Sequence, residues 1–432
     1  MEKEQKKDGY EFSRVLYIIE AALEYFVSIA VSTIYLAKLT EYIGFSDSLT
    51  GILSSFVSLG CGFQMIAIFL ANKKPVKRWV TALHIVSQVM FAILYLVPIF
   101  DLSKELKTVI FVIMLLGAHI INNVVNAPKI NWYMSLVDNK KRGRFTANKE
   151  IISLLGGMGF SYFMGTLFDY FEGINNIKGA FIVGGITLFV LMALHSATLI
   201  FAKEKQVQQT KKVTVGLQLK SLLKDKTLFK VVLISVLWNV ANYVSTPFMG
   251  TYQTKELAFT TSFASIIVMA GSLFRVFCSK PLGRFADKYS FRKMLIVCFL
   301  IEVVAFGINT FTTPSNGKVV YFIYQLLYSA GMAGINSSVI NLIYDYVGEE
   351  QRTSALALQQ TFAGFAGFFT TLLVSPLVTL IQANGNRILG IHMYAQQLLA
   401  LFSCILTMGL LVYMLTVIRK IKNKNREDGQ VE

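Results

Sequence analysis

Twelve apolar stretches, each long enough to cross a bilayer as a helix, alternate with short polar loops along this chain. About 20 consecutive apolar residues span the hydrocarbon as a helix, so each stretch predicts one transmembrane segment. The first six run from Arg14 to Lys38, Ser48 to Ala71, Trp79 to Phe100, Leu106 to Val137, Ala147 to Phe171 and Gly179 to Ala202. A polar connector follows, and the second six run from Thr227 to Tyr252, Phe259 to Pro281, Met294 to Thr313, Lys318 to Val347, Ser354 to Gln382 and Ile391 to Ile418. The pattern predicts an all-α polytopic membrane protein: a six-helix bundle over residues 1–202, a linker at 203–226, a second six-helix bundle over 227–418 and a tail at 419–432.

Composition agrees with that reading. Of 432 residues, 54% are hydrophobic and only 15% charged, with a mean hydropathy of +0.55. A water-soluble core cannot use so much apolar surface. The formal charge of +16 raises the question of nucleic acid, but the basic residues form no patch. With the amino terminus inside, 30 Lys and Arg fall in inner segments and 7 in outer ones. That asymmetry writes orientation into a membrane protein and predicts two cytoplasmic termini, without a nucleic-acid partner. Cys61, Cys278, Cys298 and Cys404 all lie inside apolar stretches, so no disulfide framework is implied. The first stretch follows a hydrophilic start and has no small-residue cleavage pattern after it, as expected of a retained first helix. Short loops and abundant Lys, Asn and Ile lean toward a bacterial plasma membrane.

Internal symmetry supports a duplicated bundle. A shift of 210 residues, without gaps, lays Asn126 on Asn336, Asn131 on Asn341, Arg142 on Arg352 and Gly157 on Gly367. Polar residues concentrate in corresponding helices. The first carries Glu20, Glu24 and Ser28; the fourth carries His119, Asn122, Asn123, Asn126 and Lys129. The seventh carries Trp238, Asn239, Asn242 and Tyr243, and the tenth carries Tyr324, Gln325, Tyr328, Asn336 and Asp345. Helical spacing aligns these residues in stripes, and a polar stripe within a bilayer faces a wet cavity or a solute.

A rise of about 1.5 Å per residue brings Glu24 near the bilayer middle and Lys129 to a similar depth, so carboxylates and amine can meet. Two carboxylates one turn apart repel when both are ionised, which predicts a proton-loading site of Glu20 and Glu24 with Lys129 or His119 as charge partner. A permanent bridge that only ties two helices together is the competing reading. Arg275 and Glu302, at similar depths in adjacent helices, are expected to pair structurally. His84, His195 and His392 stand singly, and no metal-protease or phosphate-loop signature occurs. No enzyme and no cofactor are therefore expected. Asn336-Ser337-Ser338 fits the glycosylation pattern but lies within a span.

The loop Gly283-Arg284-Phe285-Ala286-Asp287-Lys288-Tyr289-Ser290-Phe291-Arg292-Lys293 resembles the loop motif of the major facilitator superfamily. Gly283, Asp287, Lys288, Arg292 and Lys293 agree with that motif, while Ser290 and Phe291 depart from it. Its counterpart, Asn72 to Arg78, keeps only the basic character. Arg142-Gly143-Arg144 is similar to the Arg-Gly turn of the same superfamily, with Glu349, Glu350 and Arg352 in the equivalent second-half place. The resemblance implies two bundles around an alternately opened cavity, gating contacts at these loop residues, and a solute held between the first, fourth, seventh and tenth helices. It implies a secondary transporter; the Glu20 and Glu24 carboxylates predict coupling to H+, with Na+ as the other ion, and a monomer is expected. The Asn, Gln, His, Trp and Tyr lining suits a polar solute such as a sugar or nucleoside. An amphipathic cation exported against Glu24 is the alternative, and a membrane receptor or scaffold is the alternative of another class.

Overall fold

The computed structural model describes residues 9–70, 75–138, 141–205, 222–344, 346–347, 351–388 and 390–421. Most of the expected linker, the residues 72–74 and 140, Asp345, Glu349, Glu350 and the tail beyond residue 421 lie outside them. Among the described residues the helices follow one another as twelve rods, numbered here in chain order. The first is Glu11–Ala30 with Thr33–Ile43, and the second is Asp47–Ser54, Phe56–Gly62 and Met65–Leu70. The third to sixth are Val76–Ile93, Lys104–Met134, Arg142–Gly173 and Ile177–Phe201. The seventh, Lys226–Tyr243, continues through short turns to Glu256. The eighth to twelfth are Thr261–Lys288, Phe291–Asn309, Gly317–Tyr344, Arg352–Ala383 and Ala395–Thr416. Between the last two, Arg387–Ile388 and Ile391–His392 pair as a small antiparallel ribbon.

Nine helices among the described residues are long and apolar enough to cross a membrane, and ten if the bent first rod is one span. The third and ninth rods fall short of that test for a chemical reason. The third carries Lys77, Arg78, His84 and Gln88, and the ninth carries Arg292, Lys293 and Glu302. Loop residues start the rods as the physics of helix ends requires, since the first N–H groups have no partner inside the helix. Ser46, Ser103, Asn176, Asp225, Thr260 and Ser290 each accept from a backbone N–H of the following turn.

Contacts divide the chain into two compact units: residues 1–32 with 69–213, and 33–68 with 214–432. This grouping differs from a cut at the linker because the chain changes unit at the break in the first rod. There Thr33 adopts φ +44°, a conformation that a β-branched residue rarely takes, and the two helices bend by 43°. In the first unit, the first rod packs on the fifth and sixth, and the third on the fourth and sixth. Its buried centre includes Tyr17, Val80, Val125, Trp132, Tyr133 and Leu199.

In the second unit the ninth rod packs on the tenth and twelfth, and the seventh on the eleventh. The stretch 33–68 is built into this unit through glycines. A Cβ on Gly250 would come within 2.5 Å of the Thr33 carbonyl oxygen, and one on Gly364 within 2.5 Å of the Ser58 carbonyl oxygen. Only a residue without a side chain admits such backbone approach. Polar pairs fasten the same contact: Ser48 with Ser375, and Asp47 with Lys255 at 2.5 Å and Gln382 at 2.8 Å.

Candidate functional site

Five ionisable side chains converge inside the first unit. Lys129 Nζ lies 2.8 Å from Glu20 Oε1, 2.5 Å from Glu24 Oε2 and 3.0 Å from His84 Nε2. His195 Nε2 lies 3.1 Å from Glu20 Oε1, and its ring meets that of His84 edge to face at 4.7 Å. The first rod supplies both carboxylates one turn apart, the fourth the amine, and the third and sixth one imidazole each. Glu20, His84 and His195 are wholly buried, whereas the Glu24 side chain is 21% exposed, the most exposed member of the cluster.

The donors assign the imidazole protons. An ammonium only donates, so His84 Nε2 accepts from Lys129 and its proton sits on Nδ1, facing Ser87 Oγ at 3.5 Å. A carboxylate only accepts, so His195 Nε2 donates to Glu20. Two carboxylates thus share one ammonium, and with both imidazoles neutral the cluster is one positive charge short of neutrality. Glu20 Oε2 and His195 Nδ1 are each without a hydrogen-bond partner among the described residues. Aromatic rings line one side: Tyr17 stacks on Tyr133 at 4.3 Å, and Tyr133 on Trp132 at 4.6 Å.

Glu20, His84 and His195 also offer one carboxylate and two imidazole donors within 4.8 Å of one another, a set suited to a divalent metal. The Lys129 ammonium, within 3.0 Å of two of those donors, stands where such a cation would.

The structure brings Glu20, Glu24 and Lys129 together, as helical rise leads one to expect. His119 is elsewhere, edge-on to Phe91 at 5.0 Å. The histidines of the cluster are His84 and His195, which correct the expectation that each stands singly. The sequence signal for His84 is the company it keeps: His84, Ser87 and Gln88 share a helical face and are all buried. The expected Arg275 and Glu302 pair also needs correcting, because no ion pair joins them among the described residues.

The remaining expected residues divide by their surroundings. In the second unit the Tyr328 hydroxyl donates to Asn242 Oδ1 at 3.1 Å, and Tyr324 packs beside Tyr328 at 5.8 Å. Gln325 and Ser329 face Gly271, and Gln359 donates to Ser235 at 2.6 Å. Trp238 belongs to a hydrophobic cluster with Phe299 and Phe306, Asn239 donates to its own helix at Ser235, and Asn336 is exposed. Tyr243 lies against Gly367. In the first unit Asn123 donates to His119 O, Asn126 is half-buried, and Asn122 Oδ1 has no partner among the described residues. Of the loop residues, Arg292 donates to the carbonyls of Arg419 and Ile421 at 3.0 and 2.9 Å. Asp287 and Arg142 are exposed, Arg352 is half-buried, and Lys288 and Lys293 approach the Tyr289 ring. Gly283 has open space around it.

Long apolar helices with a charged cluster buried inside the first unit define a polytopic membrane protein. Residues 16–371 match the sequence profile of the Major Facilitator Superfamily, and the chain belongs to that family. An uncharacterised MFS-type transporter of Methanocaldococcus jannaschii is 24% identical over 216 residues. That match covers 48% of this chain and 51% of the relative, so the chain spans about half the length of the curated relative it matches. The nucleoside transporter NupG superposes with a TM-score of 0.71 at 16% identity, covering 95% of this chain and 100% of that one. A D-xylose-proton symporter superposes with a TM-score of 0.68 at 14% identity, covering 93% and 97%. At such identities these likenesses establish a shared fold.

Proposed function

We propose that this protein is a secondary transporter of the plasma membrane that moves a small polar solute by alternating access and couples that movement to protons. The observation that carries the reading is the charge count of the buried cluster: two carboxylates share one ammonium. An uncompensated charge in a medium of low dielectric is costly, and one added proton neutralises the cluster. Glu24, the most exposed member, is the point of entry, and Glu20 with His84 and His195 stabilises the loaded state. Release of the proton restores the charge deficit and favours the opposite conformation.

Asn242, Tyr324, Gln325 and Tyr328 offer donors, acceptors and ring faces to a hydroxylated or heterocyclic solute. Similarity of fold to a nucleoside transporter and a xylose-proton symporter supports that class. The asymmetry of Lys and Arg supports cytoplasmic termini. Asp287, Lys288, Arg292, Arg142 and Arg352 are then inner-face residues whose contacts change as the chain cycles.

Uptake by the purified protein in liposomes, against a panel of sugars, nucleosides, peptides and cationic dyes, tests this reading. An inward proton gradient is expected to accelerate uptake of one polar solute above its gradient-free rate. Uptake of a solute at equal rates with and without the gradient would contradict proton coupling, and uptake restricted to the dyes would contradict the polar-solute class.

A further inference from the structure

Glu302 of the ninth rod is wholly buried, and neither carboxyl oxygen has a hydrogen-bond partner among the described residues. The site is nonetheless shaped for it. The carboxyl lies against Gly331 of the tenth rod, where any Cβ would overlap Glu302 Oε1. One turn to either side the same two rods are closed: Cys298 lies against Gly334, and Phe306 packs on Tyr324 and Tyr328 at 6.2 and 6.1 Å. The niche therefore accommodates a carboxyl group while supplying it no counter-charge.

The ionisable groups that surround it do not change that balance. Cys298 stands on its own rod and Tyr324 and Tyr328 face it from the tenth, while Arg275 of the eighth stands by Tyr328, Cys278 of the eighth by Cys298, and Cys404 of the twelfth is bonded to the Val303 carbonyl at 3.4 Å. None of them donates to Glu302 among the described residues. A carboxylate without donors or cation is far costlier there than the neutral acid. Tyr328 is half-buried, and its hydroxyl reaches Asn242, so a polar route leads away from the niche.

We propose that Glu302 is a second proton-binding carboxyl of this protein, separate from the Glu20 and Glu24 cluster. It holds a proton in the conformation described here and gives it up when the ninth and tenth rods shift. The proton comes from water as H+ and returns to water as H+, with no other bond made or broken.

Infrared difference spectroscopy of the full-length protein in detergent tests this without any transport assay. The expected result is a protonated-carboxyl band that E302Q removes and Glu20→Gln retains, and that declines reversibly as pH rises or as a sugar or nucleoside of the uptake panel is added. A band unaltered by E302Q, or one that neither pH nor solute changes, would overturn the proposal. Should E302Q misfold, Gly331→Ala serves instead, because its new methyl group must displace the carboxyl and shift the band. If the band behaves as expected while solute moves no protons in liposomes, Glu302 stands and the coupling reading falls.

Discussion

Lys129 donates to Glu20, Glu24 and His84, and an ammonium has three protons to give. That match makes the buried cation tolerable and sets what its removal would do. Lys129→Met leaves two facing carboxylates with no counter-charge, and breaking a buried pair in this way costs about 3–5 kcal/mol. Thermal unfolding in detergent at neutral pH is expected to show a large loss of stability, partly restored by acid or by adding Glu20→Gln. An unchanged melting temperature would mean that water already screens the cluster. His195→Ala removes a donor from Glu20, whose other oxygen already lacks one, and is expected to destabilise by about 1–3 kcal/mol, read in the same melt.

At this scale the sequence disclosed part of the site. Glu20, Glu24 and Lys129 were legible because each is a charged residue in an apolar stretch and helical rise alone sets its depth. His84 and His195 were not, because their meeting depends on how the third and sixth rods are rotated about their axes. Depth also failed for Arg275 and Glu302: similar heights suggested a pair, but the carboxyl points to Gly331 of the tenth rod.

At the scale of the helix, glycines decide which rods can touch. Gly157 of the fifth rod receives the Tyr25 ring from the first, and Gly367 of the eleventh receives Tyr243 from the seventh, within 2.9 Å of where a Cβ would stand. These glycines coincide under the 210-residue shift, so each half uses its fifth helix to seat a tyrosine from its first. That symmetry was legible in sequence, although its physical purpose emerged only from the packing. Gly157→Val and Gly367→Val force both rings aside, and overpacking of this kind costs about 1–3 kcal/mol. Each variant is expected to melt at lower temperature than wild type, by similar amounts. A drop in only one would refute the equivalence. The break at Thr33 was not legible, since nothing in the apolar run from Arg14 to Lys38 marks a bend and the strained backbone is supported by distant Gly250.

For the whole molecule, the order of helices and the family followed from periodicity, charge asymmetry and one loop motif. The grouping of residues 33–68 with 214–432 did not, because it arises from contacts between segments hundreds of residues apart. The alternating access proposed above requires some of those contacts to part. Ser48 and Ser375 touch, so a Ser48→Cys, Ser375→Cys pair is expected to cross-link under mild oxidation and to stop solute exchange until reduced. Exchange at the wild-type rate with the link formed would exclude this contact from the gate.

The central claim is that the charge deficit of the Glu20, Glu24 and Lys129 cluster is what a proton fills during transport. Its most direct test compares wild type with Glu24→Gln in sealed liposomes, with solute accumulation and proton uptake followed together once a transported solute is known. Glutamine neutralises the cluster permanently, so the expected result is a variant that exchanges solute across the membrane but neither accumulates it against a gradient nor moves protons with it. Proton-driven accumulation at the wild-type level in Glu24→Gln would contradict the claim and reduce the cluster to a structural tie.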